Sequence, residues 1–273
     1  MKRLYSLAIA LLVVAFATAQ QTVSLEGADE TVRLWDNTTA KHSNHQTRDE
    51  QFSNKKKTSM RYTSSCELYI FKADAEKNTG VAIAICPGGG YMRLGFNVPT
   101  AKWFASNGIT VALVKYRLPN GYKEVPLEDA MGALRYLRTR TDLGIDPAKV
   151  GISGNSAGGH LSAWTSNAMP DEEKPAFSIL FYPVITGETW ESHQDSFAQL
   201  LGKKRTIAEQ EYYSLHNRVT PTTPPALILL SDDDAEVPTL SSILYYNALK
   251  YYGIPASMHI WPNEGHGWAA KPW

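Results

Sequence analysis

The sequence predicts an α/β fold: a mostly parallel, doubly wound sheet with helices on both faces and no large lid. Three observations carry that expectation. From Val81 onward, short apolar runs alternate with amphipathic helical stretches. The runs are apolar on both faces, which suits strands covered on two sides rather than one. Neither an internal repeat nor a dividing linker interrupts the 273 residues, a length that one large core can use.

In chain order, "VAIAIC" (81–86) reads as a buried strand and "TAKWFASNG" (100–108) as a helix closed by Gly108. "ITVALVKY" (109–116) is the next strand. The helix "PLEDAMGALRYLRTR" (126–140) opens with proline and acidic residues and sets Leu127, Ala130, Met131, Leu134 and Leu137 on one face. Strand "KVGIS" (149–153), a small-residue helix from Ser156 and strand "FSILFYP" (177–183) follow. The last elements are "ALILLS" (226–231), a helix over 239–252 stopped by Gly253, and "SMHIW" (257–261). Right-handed crossovers bring the C-terminal ends of such strands to one edge, where ligands sit.

The flanks are less regular. Residues 1–19 read as a signal peptide: Met1-Lys2-Arg3 is basic, Leu7 to Phe16 is almost wholly apolar, and Ala17-Thr18-Ala19 has the small residues a signal peptidase reads. The apolar run is shorter than the roughly 20 residues of a membrane span. Cleavage after Ala19 predicts a secreted or periplasmic protein. Residues 20–64 are polar and read as an N-terminal arm with the first strand or strands, its "NKKKTS" (54–59) a solvated loop. The main α/β domain is then 65–273. Within it, residues 184–225 carry one short helix, 207–215, and end in the rigid turn "TPTTPP".

Lysine plus arginine equals aspartate plus glutamate at 27 each, so no long-range field points to nucleic acid or an anionic membrane. Cys66 and Cys86 are the only cysteines, both in or at the end of expected strands. They read as small buried side chains with no disulfide.

The chemistry concentrates in four places. Gly154-Asn155-Ser156-Ala157-Gly158 fits a G-x-S-x-G elbow between a strand and a helix, with Ser156 as nucleophile. Pro87-Gly88-Gly89-Gly90-Tyr91 ends an earlier strand, where bare backbone amides can face a developing oxyanion. Gly89, Gly90 and Ala157 are the expected donors. Of seven histidines, His160 sits one helical turn after the serine and reads as packing, whereas His266 lies in the glycine-flanked "NEGHGW" after the last strand and reads as the base. The orienting carboxylate belongs between serine and histidine in the chain, and "SDDDAEVP" (231–238) offers three aspartates that spacing alone does not separate. Tyr91, Asn155 and Trp268 are the expected substrate-binding residues, with Tyr91, Trp268, Trp261 and Trp273 able to stack on sugar rings.

Together "CPGGGY", "YRLPNG", "GIDPAKVGISGNSAGGHLSA", "TPTTPPALILLSDDDAEVP" and "PNEGHGW" resemble the secreted bacterial esterases of the α/β-hydrolase fold, among them acetyl-xylan and feruloyl esterases. The resemblance spans about residues 65–273. It implies Asp234, from an Asp-x-x-Val-Pro pattern, as the acid rather than Asp233. Pro87 departs from the histidine that often precedes these glycines in related lipases. The implied reaction is ester hydrolysis through an acyl-enzyme on Ser156, with no metal or organic cofactor. The implied partner is a small ester or an esterified polysaccharide such as xylan. Alternatives are a general short-chain carboxylesterase and an amidase or peptidase-like hydrolase. A peptidase of the prolyl-oligopeptidase type would need a further large domain. A non-catalytic binding protein would not need the serine, histidine, aspartate and glycine set.

Overall fold

The computed structural model describes residues 24–188 and 192–270. The expected signal peptide and Trp273 lie outside them. Among the described residues eleven strands are formed: β1 (Glu30–Asp36), β2 (Gln51–Phe52), β3 (Ser59–Arg61), β4 (Ser65–Phe71), β5 (Ala82–Cys86), β6 (Leu94–Gly95), β7 (Thr110–Lys115), β8 (Val150–Asn155), β9 (Ser178–Phe181), β10 (Ala226–Ser231) and β11 (Ala256–Trp261). Six α-helices accompany them: α1 (Val98–Ser106), α2 (Glu124–Thr139), α3 (Ala157–Ala168), α4 (Gln194–Leu201), α5 (Ile207–Tyr212) and α6 (Thr239–Tyr251).

Eight strands make one sheet in the order β1-β4-β7-β5-β8-β9-β10-β11. The pairs from β7 to β11 are parallel, whereas the β1–β4 and β4–β7 pairs are antiparallel. Every residue of β4, β5 and β7 is buried; β5 and most of β7 accordingly read as apolar runs, whereas β4 buries Ser65 and Glu67 among its apolar residues and carries no such signal. From β5 the chain steps outward to β7, then reverses past β5 to β8. Right-handed crossovers turn that reversal into a change of face, with α1 on one side and α2, α3 and α6 on the other. The reversal also opens a crevice between the ends of β5 and β8, the place where open α/β sheets bind ligands.

Two regions differ from the sequence expectation. The N-terminal arm is more than an extended lead-in: β2 and β3 join β6 in a separate three-stranded antiparallel sheet. These strands are two or three residues long, too short for alternation to register. The segment 184–225 also holds a second helix, α4, which buries only Phe197, Leu200 and Ser196. Two turns give too few apolar repeats to announce themselves. Cys66 and Cys86 are buried free thiols on β4 and β5, with β7 between those strands.

Candidate active site

Ser156 stands between β8 and α3 with φ +55° and ψ −123°. A non-glycine residue persists there only when its surroundings hold it, at about 1–3 kcal/mol. Here the Ser156 N–H donates to Phe181 O at 3.0 Å, and its carbonyl accepts from His160 and Val184 N–H at 3.1 Å each. The elbow needs close backbone approach as well. A Cβ on Gly158 would lie 2.0 Å from Cys86 O, so only glycine lets α3 start against the end of β5.

The loop after β5 lies directly on this elbow: a Cβ on Gly88 would stand 3.1 Å from that of Ser156. Gly88 N–H is committed to Asn155 Oδ1 at 3.2 Å. Gly88 O accepts from Gly95 N–H, and Gly89 O from Met92 and Arg93 N–H. In a trans peptide the N–H points opposite to the carbonyl, so the Gly89 and Gly90 amides are turned away from that hydrogen-bonded turn. Neither amide donates a hydrogen bond among the described residues. Ala157 opens α3, where first-turn N–H groups have no helical acceptor.

His266 Nδ1 and Asp234 Oδ2 are 2.6 Å apart, with the two side chains 13% and 1% exposed. Asp234 Oδ1 accepts from the Glu236 and Val237 N–H groups at 2.9 Å each. Burial pushes the Asp234 carboxyl up, but the bonds from His266, Val237 and Glu236 outweigh it and hold it below the usual range. Asp233 does a different job. Its carboxylate accepts from Ser231 Oγ at 2.6 Å and Gly265 N–H at 2.7 Å, pinning the loop that presents His266. The Tyr182 ring supports the imidazole from beside, with centroids 4.5 Å apart.

Ser156 and His266 line one open cavity of about 800 Å³, together with Gly88, Gly89 and Gly90. Ser156 Oγ makes no hydrogen bond among the described residues. Such contacts are often long before substrate binds and tighten in the complex.

Other expected residues fall elsewhere. His160 packs as expected: Nδ1 meets Tyr91 Oη and Nε2 meets Tyr213 O, both at 2.9 Å. The carbonyl requires a donor at Nε2, so Tyr91 Oη donates to Nδ1. Burial lowers the His160 pKa to about 4, keeping it neutral. Tyr91 is therefore corrected from a substrate-binding residue to a buried prop of the glycine loop, only 2% exposed. Beside it, Tyr116 Oη donates to Pro87 O at 2.8 Å, which supports the loop where related lipases carry histidine. Trp268 is corrected likewise: it is buried behind the site among Phe181, Tyr182 and Trp261. Asn155 does line the cavity, but its side chain is tied to Gly88 N–H and also reaches the Tyr182 hydroxyl, so it positions the loop.

The sequence reading missed much of the cavity's far wall. Asn54, Arg61, Arg93, His193, Asp195 and Glu236 all line it. Three of these come from the arm and α4, where no motif marked them. Glu236 sat within "SDDDAEVP", and its Oε2 lies 3.9 Å from His266 Nε2. Among the described residues, no group of three or more His, Cys, Asp or Glu could hold a metal ion.

A strained elbow serine, a carboxylate-bound histidine after the last strand and a glycine loop at the sheet's switch point define an α/β-hydrolase. The model of the prolyl oligopeptidase family matches residues 96–272, and the chain belongs to that family. It is 38% identical over 209 residues to an acetylxylan esterase of Xylanibacter ruminicola, covering 72% of this chain and 43% of that protein. It is 30% identical over 217 residues to endo-1,4-beta-xylanase B of Butyrivibrio fibrisolvens, covering 73% of this chain and 34% of that one. The chain thus spans less than half the length of either relative. An acetyl ester-xyloside bifunctional hydrolase from Caldicellulosiruptor lactoaceticus superposes with a TM-score of 0.73 at 29% identity, over 90% of both chains.

Proposed function

We propose that this protein is an exported serine esterase that removes acetyl groups from xylan or a similar plant cell-wall polysaccharide. The observation that carries this reading is the meeting of the His266–Asp234 pair, the elbow serine and two undonated glycine amides in one open cavity. Similarity to an acetylxylan esterase, a xylanase and an acetyl ester-xyloside hydrolase supports the substrate class. Export rests on the sequence of residues 1–19.

Ser156 Oγ attacks the ester carbonyl carbon while His266 Nε2 takes its proton. Asp234 holds the imidazole through Nδ1 and stabilises the imidazolium. The oxyanion forms on the amides of Gly89, Gly90 and Ala157, each such donor contributing about 2.7–4 kcal/mol in comparable sites. His266 then protonates the leaving sugar hydroxyl, and water, activated by the same imidazole, releases acetate.

The test is acid release by the purified protein from acetylated xylan, feruloylated arabinoxylan, p-nitrophenyl acetate and an acyl-peptide anilide. Acetate from xylan should dominate. Cleavage of p-nitrophenyl acetate alone would demote the protein to a general short-chain esterase. Preference for the anilide would favour the amide hydrolysis that the family's name suggests.

A further inference from the structure

The cavity contains two cations that the proposed deacetylation does not use. Arg61 and Arg93 both line it. The β3–β6 register pairs Ser59 with Gly95 and Met60 with Leu94, so one further step sets Arg61 opposite Arg93. Like charges directly across an antiparallel pair repel, and a protein usually answers such a pair with a carboxylate. Here neither guanidinium forms an ion pair or a side-chain hydrogen bond among the described residues. Arg61 Nε is moreover buried without a partner. Asp195 and Glu236 share the cavity but reach neither arginine: Asp195 stands in the first turn of α4, and Glu236 faces His266.

The two cations are coupled to the reaction centre through backbone. Arg93 N–H donates to Gly89 O, and a Cβ on Gly89 would lie 2.8 Å from Arg93 Cγ. The Arg93 stem therefore runs across the glycine that is to hold the oxyanion.

We infer that Arg61 and Arg93 form a carboxylate subsite that recognises a uronic-acid substituent on the acetylated polysaccharide. This rests on the polysaccharide reading given above. A planar guanidinium fork matches a carboxylate bidentately, and two facing forks lose their mutual repulsion when an anion enters. The carboxylate belongs to the sugar chain rather than the acyl group, because an acetyl group ends one carbon beyond the carbonyl. The subsite selects for acetyl esters close to a uronate and uses the arm's small sheet as its floor.

The experiment compares kcat/KM for acetate release from acetylated xylo-oligosaccharides with and without uronic-acid substituents. Wild type should favour the acidic substrate by at least about tenfold, the worth of one charge-assisted hydrogen bond, and the preference should shrink with added salt. Arg61→Gln and Arg93→Gln should each reduce that ratio, mainly through KM, with far-UV circular dichroism and melting temperature reporting on the fold. Free glucuronate should inhibit wild type competitively where glucose does not. Equal rates on both oligosaccharides would overturn the subsite while leaving the esterase reading intact, whereas no acetate from either would sink the esterase reading itself. A preference for p-nitrophenyl hemisuccinate over the butyrate, with none between the oligosaccharides, would overturn the sugar-side placement.

Discussion

The two sides of the sheet are held together by different physics. The parallel half from β5 to β11 is an apolar core whose reactive groups sit on loops at one edge. The antiparallel flank of β1 and β4 is anchored by buried charge. Lys115, wholly buried, lies 2.5 Å from Glu50 and 3.3 Å from Glu67. Arg117, also buried, pairs with Asp129 at 2.7 Å and Glu128 at 3.0 Å, and donates to His42 O. Asn44 adds bonds to Thr63 O and Leu118 O. Buried ion pairs contribute little net stability but penalise any arrangement that leaves one partner alone. The flank thus fixes where the arm lies, and the arm in turn supplies β3 to the small sheet behind the glycine loop. Chemistry resides in one half; the placement of the opposite wall resides in the other.

That division has measurable consequences. The largest expected effect falls on the parallel half alone: Ser156→Ala should lower turnover about 10⁴-fold or more with the melting temperature nearly unchanged. Asp234→Asn should cost about as much, because the imidazole loses the partner that sets its tautomer. A flank substitution should do the reverse. Lys115→Met leaves Glu50 and Glu67 without their shared cation and should cost about 3–5 kcal/mol in urea unfolding, with kcat of the folded fraction preserved. Comparable losses of turnover in both variants would erase the distinction.

Acid should separate the halves next. His160, with its pKa lowered to about 4, stays neutral in the fold while the unfolded chain's histidine takes a proton near 6.5. Its contribution is complete above that pH and declines as pH falls towards 4, a loss on the order of 3 kcal/mol. His160→Gln should flatten stability across that window. Glu50 works lower down. Burial pushes its carboxyl up, but Lys115 and the Ser64 and Ser65 amides pull it below the usual value. Its contribution is present above the unfolded pKa of about 4.3 and is lost as pH falls beneath that. Hydrogen exchange should therefore show α3 loosening before β4 as pH drops. The smallest effect expected is from Asp233→Asn, which frees the His266 loop. The loss of charged hydrogen bonds from Ser231 and Gly265 should lower kcat by about tenfold to a hundredfold, without the collapse expected of Asp234→Asn.

How far the site could be read in advance follows the same line. The glycine loop and elbow were legible because strained backbone demands particular residue types next to one another, and His266 because a glycine-flanked loop follows the last strand. Asp233 and Asp234 were adjacent in the chain, so spacing could not separate them. The structure shows one bonded to the imidazole and the other to its loop. Tyr91 and Trp268 adjoined the right motifs, yet both side chains turn into the interior, where His160 and Tyr182 receive them.

The sequence by itself determined the succession of the parallel strands and the helices between them from Val81 onward, the crevice edge and the chemical kind of the reacting groups. Those follow from local periodicity and from backbone angles that few residues tolerate. Only the tertiary structure decided that Arg61 stands across from Arg93, that Gly95 grips the loop at Gly88 and that the polar arm walls the cavity. Such facts depend on which distant segments pair, and a side chain's direction is set by the elements packed against it rather than by its neighbours along the chain.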